Sequence, residues 1–256
     1  MIHPTAVVHK GAQIDKDVEI GPYSVIGEKV MIGAGTRIGP HVVIEGRTTI
    51  GNHNTIMQFA SIGAIPQHMR YRGEDTRLEI GSQNTIREFV TIHLGTAEDQ
   101  GITRIGNRNM FMAYCHVAHD CVIEDSVIMA NGATLAGHVV VERHAILGGL
   151  VGVHQFVRIG QYAIVGGLSG VSLDIPPFMS AAGFRTKLYG LNLIGLKRNN
   201  FSPETIQRLK KVYRIIFKSS LLLDDAIEKV EGEMGEDPHV QRLVTFIKSS
   251  TRGMCR

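Results

Sequence analysis

Aliphatic side chains recur in this chain at every sixth position, and few folds can bury such a ladder. Val8, Ile14, Ile20, Ile26, Ile32, Ile38, Ile44, Ile50, Ile56 and Ile62 follow one another without a break, and Ile80, Ile86 and Ile92 resume the same phase. After a one-residue shift the ladder runs on as Ile105, Phe111, Val117, Ile123, Met129, Leu135, Val141, Leu147, Val153, Ile159, Val165 and Val171. A period of six is neither the 3.6 of a helix nor the alternation of a half-buried strand. It suits a triangular prism in which three short strands per turn each send one wedge to the axis. One coil is then three sixes long, and coils stack by parallel pairing at the ~4.8 Å spacing of any sheet, so that residues 18 apart form columns. Small residues two places before the ladder, such as Ser24, Ala60, Cys115, Ala133 and Ala163, fit beside the wedges. Glycine often follows the ladder residue, where a Cβ would clash.

This hexapeptide pattern resembles the left-handed parallel β-helix family, and the handedness is taken from that resemblance, since it opposes the usual crossover preference. The expected division is a β-helix over residues 1–190 and an α-helical C-terminal domain over 191–256. Two stretches leave the ladder. Residues 64–79 put His68 and Glu74 where aliphatics belong and carry Pro66, Arg70, Arg72, Asp75 and Arg77, and residues 93–104 depart in the same way. Both should loop outward, where binding residues or plain connectors are found. Past Pro176 and Pro177 the period changes: Ser202-Pro203-Glu204 reads as a helix start, followed by Ile206, Leu209, Tyr213, Ile216 and Phe217 at helical spacing. Further helices are expected near Asp224 and after Pro238. The first of these helices carries Arg208, Lys210, Lys211, Arg214 and Lys218 against Glu204 alone, a solvated face or a dock for an acidic partner.

Charge and cysteine usage narrow the function classes. The 27 basic against 24 acidic residues leave only +3, too little to argue for nucleic acid over the whole chain. No apolar run approaches a membrane span and the start lacks a signal-peptide layout, so a cytoplasmic protein without membrane insertion is expected. Three cysteines without scaffold spacing agree with a reducing compartment.

Chemistry concentrates in Cys115-His116-Val117-Ala118-His119-Asp120-Cys121. Cysteine and histidine so close suggest zinc, but the ladder turns Cys115 and Cys121 inward and His116 outward, so no tetrahedral site converges and no metal is expected. Column arithmetic instead stacks His119, Gly137 and Gln155 at one corner, with Asp120 and His138 in the next column and Ala136 and His154 in the preceding one. His144, six residues from His138, falls on another face and reads as an ordinary surface histidine. A neighbouring carboxylate can fix the tautomer of a histidine base, a role open to Asp120 only if the corner bends it toward His119; otherwise it would pair with His138. The amide of Gly137, with no side chain in front of it, can meet an oxyanion formed beside His119. A second column, Asn131, Gly149 and Gly167, lies at another corner, where stacked glycines leave a floor for a hydrocarbon tail or relieve corner strain.

These segments, with Leu135-Ala136-Gly137-His138, Val153-His154-Gln155-Phe156, Gln58-Phe59-Ala60-Ser61, Gly195-Leu196-Lys197-Arg198 and Ser250-Thr251-Arg252-Gly253, resemble the UDP-N-acetylglucosamine O-acyltransferase family over nearly the whole chain. The resemblance implies a cytoplasmic homotrimer with active sites between subunits. It implies transfer of an R-3-hydroxyacyl chain from acyl carrier protein to the glucosamine 3-hydroxyl of UDP-N-acetylglucosamine, the first step of lipid A synthesis, without a cofactor. It makes His119 the general base, Asp120 its orienting partner and Gly137 the oxyanion donor. His116, His138, Gln155, Gln67 and Arg70 would line the sugar and diphosphate site, with His68 beside them. His154 would serve the acyl-donor side, Asn192 and Arg198 the nucleotide or carrier arm, and Gly167 the end of the acyl chain. His68 replaces a usual aspartate, Leu94 an arginine, Ile194 an acid and Asn199 a second arginine. Alternatives are an acyltransferase acting on a 3-amino sugar, and the sister N-acyltransferase, whose N-terminal uridine-binding domain has no room before Val8. A β-helical carbonic anhydrase would need histidines five apart, which this chain lacks, and a docking β-helix would show no histidine corner.

Overall fold

The computed structural model describes all 256 residues. From Val7 to Val171 the chain winds into a left-handed parallel β-helix of mostly two-residue strands, stacked in three sheets of nine, eight and ten strands. Val7 pairs with Val25 and Val25 with Val43, which is the coil of three hexapeptides that the ladder predicts. Ile44, Ile62, Ile86, Ile92 and Phe111 are wholly buried on the axis. Each such side chain removed from water contributes roughly 1.5–3 kcal/mol, so the ladder is the main source of stability. Glycines after the ladder serve close approach between coils: a Cβ at Gly21 would lie 2.7 Å from the backbone carbon of Gly39.

The corners themselves are turned by other residues. At the corner between the first and second sheets Asp120, His138 and Phe156 adopt φ of 58°, 63° and 64°. Between the second and third sheets the same role falls to Ser126, His144 and Tyr162, and between the third and first to Tyr23, His41, Phe59, Phe89 and Tyr114. A left-handed conformation costs a residue with a Cβ roughly 1–2 kcal/mol. It persists because bonds between coils over-determine it, as where the His138 N–H donates to the carbonyl of His119 at 3.1 Å. One corner is also held from within: Asn84 donates to Asn54 Oδ1 at 3.0 Å and accepts from the Asn109 N–H at 2.8 Å.

Both outward excursions leave from the corner between the first and second sheets, and both are shorter than the break in the ladder predicts. Strands run through Ser61–Ala64 and Arg77–Ile80, and through Thr91–His93 and Ile102–Ile105, so the loops span 65–76 and 94–101. The reason is that Thr76 and Leu78 turn inward, extending the second-sheet strand and pairing Arg77–Ile80 with Arg47–Ile50.

Beyond the last coil an antiparallel hairpin, Met179–Ala182 with Lys187–Leu191, closes the third sheet. Helices α1 (Leu193–Arg198), α2 (Pro203–Lys218), α3 (Leu223–Met234) and α4 (Pro238–Lys248) follow. The hairpin and α1 have no clear sequence signal, whereas α2 starts at the expected cap, Ser202 Oγ accepting from the Thr205 N–H at 3.2 Å. Buried Glu142 ties α4 to the prism through Arg242 at 2.6 Å. The charge bias of α2 is smaller than its own sequence suggests, because Arg208 pairs with Asp237 and Lys211 with Glu233 of neighbouring segments. Lys210, Arg214 and Lys218 remain. No helix is long and apolar enough to cross a membrane.

Candidate active site

The bend at Asp120 does what a straight strand cannot. Its left-handed turn swings the carboxylate back onto the preceding residue, so that Oδ2 lies 2.9 Å from His119 Nδ1. The Asp120 N–H donates to Thr103 Oγ1 at 2.9 Å, fixing the turn. The loop 94–101 completes the arrangement, since the Thr96 N–H donates to Oδ1 at 2.9 Å and its hydroxyl to Oδ2 at 2.6 Å. Burial pushes the carboxyl of Asp120 up, but the bonds from His119 and Thr96 outweigh it and hold it below the usual carboxylate range. Asp120 is therefore ionised and keeps the proton of His119 on Nδ1, leaving Nε2 free to accept one.

Gly137 stacks above His119 as the column predicts. A Cβ there would lie 2.5 Å from His119 Cε1, so only glycine leaves the ring its place. No carbonyl of the chain takes the Gly137 N–H. His138 stands edge-on to His119 at 5.1 Å and stacks on Phe156 at 4.4 Å. Its Nε2 is 3.9 Å from Asp120, too far for the alternative pairing, and its Nδ1 meets Asp99 at 3.0 Å.

Three further histidines surround the pair. His68, on the first loop, sits edge-on to His119 at 5.0 Å, with Gln67 and Arg70 exposed beside it. His116 meets Thr91 Oγ1 at 2.7 Å, and burial followed by the nearby His119 lowers its pKa. His93 is buried with no partner for Nδ1, and burial, His116 and His119 push its pKa down to about 4. Neither His93 nor Thr96, Glu98 and Asp99 is singled out by the sequence.

A groove of about 720 Å³ runs over the first sheet past His116, Thr134, Ala136, Gly152, His154 and Gly170 to Arg185. His154 Nδ1 lies 2.7 Å from Arg252 Nη2 and 3.2 Å from the Gln155 carbonyl, contacts that hold the ring at the edge of the groove. Gln155 is exposed next to it. Gly149 and Gly167 lie at the corner between the third and first sheets, apart from this groove, where a Cβ at Gly167 would come 3.1 Å from the Gly149 carbonyl.

Asn192 and Arg198 are not brought to His119. They line a second cavity of about 720 Å³ at the corner between the second and third sheets, together with Ser126, His144 and Ile194. His144 is thus a cavity residue, stacked on Tyr162 at 4.6 Å, where the hexapeptide phase alone suggests a plain surface position. Much of the Asn192 amide is committed to structure, accepting from the Gly195 N–H at 3.0 Å and donating to the Tyr162 carbonyl at 2.9 Å.

Cys115 and Cys121 lie in the core, and burial pushes their thiols up to about 11 and about 12. They are neutral donors to carbonyls, unsuited to zinc or nucleophilic attack. The donor atoms of His119, Asp120 and His138 do gather within 4.8 Å. A cation there would have to compete with His119 Nδ1 and the Thr96 hydroxyl for Asp120 Oδ2, so the geometry suits a hydrogen-bonded base better than a ligand set.

The chain is similar to known proteins over its whole length. A family model described as UDP-N-acetylglucosamine O-acyltransferase, domain 2, matches residues 174–255. A bacterial transferase hexapeptide model matches residues 11–46 and 102–137. The chain is 55% identical over 260 positions to the acyl-(acyl-carrier-protein)–UDP-N-acetylglucosamine O-acyltransferase of Herminiimonas arsenicoxydans, covering 100% of this chain and 99% of that one. The same enzyme of Thiobacillus denitrificans is 52% identical at the same coverage. Among solved structures, UDP-N-acetylglucosamine O-acyltransferase of Moraxella catarrhalis superposes with a TM-score of 0.96 at 46% identity, covering 100% of this chain and 99% of that one. The Francisella novicida acyltransferase gives 0.97 at 40% identity, covering 100% and 94%.

Proposed function

Because the chain belongs to the UDP-N-acetylglucosamine O-acyltransferase family, an acyl carrier protein-dependent enzyme of lipid A synthesis, we propose that His119 is its general base. The observation that carries this is the chain of contacts from Thr96 through ionised Asp120 to His119, beside a glycine amide that nothing else uses. His119 Nε2 takes the proton of the 3-hydroxyl as that oxygen attacks the thioester carbonyl of an R-3-hydroxyacyl chain. The oxyanion is met by the Gly137 N–H. Collapse breaks the carbon–sulfur bond, and the proton on His119 passes to the departing thiolate of the carrier. No cofactor is required.

Gln67, His68, Arg70, His116, His138 and Gln155 form the sugar and diphosphate side of this reading, and His154 the donor side. Asn192 and Arg198 would serve the nucleotide from a second copy of the chain, because on one copy they sit at a different corner from His119. A corner that faces a different corner of its neighbour makes a head-to-tail contact, which closes as a ring of three around a triangular prism. We therefore read the enzyme as a homotrimer. Lys210, Arg214 and Lys218 on α2 suit the acidic carrier protein. Residues 1–190 would build the site and 191–256 would complete the docking face. Three buried, free cysteines agree with the cytoplasm.

The test is incubation with UDP-N-acetylglucosamine and a mixed pool of R-3-hydroxyacyl carrier proteins, with the product identified by mass spectrometry. His119→Ala is expected to keep the melting curve and lose at least about a hundredfold in rate. A smaller loss would remove His119 as the base.

A further inference from the structure

The second loop brings two carboxylates onto the groups that an anionic acceptor needs. Glu98 Oε1 lies 3.2 Å from Arg70 Nε, and Glu98 Oε2 lies 3.7 Å from His68 Nε2. The adjacent Asp99 holds His138 Nδ1 at 3.0 Å. The two loops are thus clasped across the corner directly over His119, to which His68 and His138 present ring edges. Arg70, His68 and His138 are the groups that the reading above gives to the sugar and its diphosphate. A carboxylate and a phosphate are acceptors of the same kind for a guanidinium or a ring N–H, so Glu98 and Asp99 take up donors and positive charge that a phosphate would otherwise use. Thr96, two residues before Glu98, is anchored to Asp120 and need not move when the acids do.

We propose that Glu98 and Asp99 set the affinity of the enzyme for its anionic acceptor, by competing with the diphosphate for Arg70, His68 and His138. They are specificity-determining residues, since their charge penalises a dianionic nucleotide and would not penalise a neutral sugar. Arg70 is largely exposed and Asp99 partly so, and each contact is screened and individually weak. The pair is therefore displaceable by a ligand that bears two charges. The inference rests on the assignment of the sugar-nucleotide site.

The experiment is the isosteric double variant Glu98→Gln/Asp99→Asn in the full-length protein. KM for UDP-N-acetylglucosamine is expected to fall about three- to tenfold, with KM for the acyl carrier protein unchanged and the difference narrowing as salt is raised. Calorimetric titration with UDP-N-acetylglucosamine alone should show the same gain. Arg70→Ala is measured alongside and should raise that KM. If Arg70→Ala raises KM while the double variant leaves it unchanged or raises it, the carboxylates orient the cations instead and the proposal fails alone. If Arg70→Ala moves nothing, the siting of the diphosphate fails and the proposal falls with it.

Discussion

Two corners of the same prism are built on one backbone turn and put to opposite uses. Along one corner Tyr23, His41, Phe59, Phe89 and Tyr114 stack ring on ring at 4.9 to 5.3 Å, each coil repeating the last. At the other, Asp120, His138 and Phe156 occupy the equivalent left-handed positions, and only His138 and Phe156 stack. The backbone does not distinguish them. What does is the pair of loops inserted at the second corner, which brings Thr96, Glu98 and Asp99 to side chains that would otherwise face water. Repetition gives a scaffold; interrupting it at one corner gives a site.

That contrast can be broken first at its strongest point. Asp120→Asn keeps the shape of the side chain but removes the charge that fixes the His119 tautomer, so kcat should fall on the order of a hundredfold with the melting temperature little changed. A kcat within threefold of wild type would mean that the corner acts by shape alone. Acidity probes the same corner more gently. The folded pKa of His93, about 4, lies below its free value of 6.5, so the unfolded chain binds the proton first as pH falls. Its contribution is complete above about pH 6.5 and is lost as pH drops toward 4, on the order of 3 kcal/mol. Denaturant titrations at several pH values should show that slope in the wild type and a flatter one in His93→Asn.

Further along the corner of the aromatic stack, glycines take over from the rings. Gly167→Met should shift donor preference toward acyl chains shorter by several carbons, each lost methylene forgoing ~0.8 kcal/mol of burial. Ratios of kcat/KM for long and short donors measure it, and an unchanged ranking would leave Gly167 a structural turn. The smallest effect belongs to the aromatic stack. Phe89→Leu should cost about 1 kcal/mol of stability and leave kcat alone. A catalytic defect there would show that the two corners are coupled.

Much of this architecture is legible in the sequence. Ile44 and Ile62 declare the coil, and counting by 18 places Gly137 over His119 because nothing interrupts the chain between residues 105 and 171. Counting fails upstream, where Ile50 pairs with Ile80 and Ile80 with Ile105 across inserted loops. Once the offsets are read as one coil plus a loop, both loops fall in phase with residues 118–121, which is the signal for Thr96 and Asp99. The fate of Asn192, by contrast, depends on its capping of α1, and that short helix has no hydrophobic period long enough to read.

Parallel coils stacked at a fixed spacing also make the prism a graduated scale. His119 and Gly167 are separated by more than two coils and fewer than three, and each coil advances ~4.8 Å along the axis. An extended chain advances roughly 1.2 Å per bond, so one coil corresponds to about four carbons. For a tail laid along the axis, selection for chain length has a coarse and a fine adjustment. Adding or deleting a whole coil between the base and the stop changes the measure by about four carbons while leaving every corner in phase. A side chain at Gly149 or Gly167 trims within that interval.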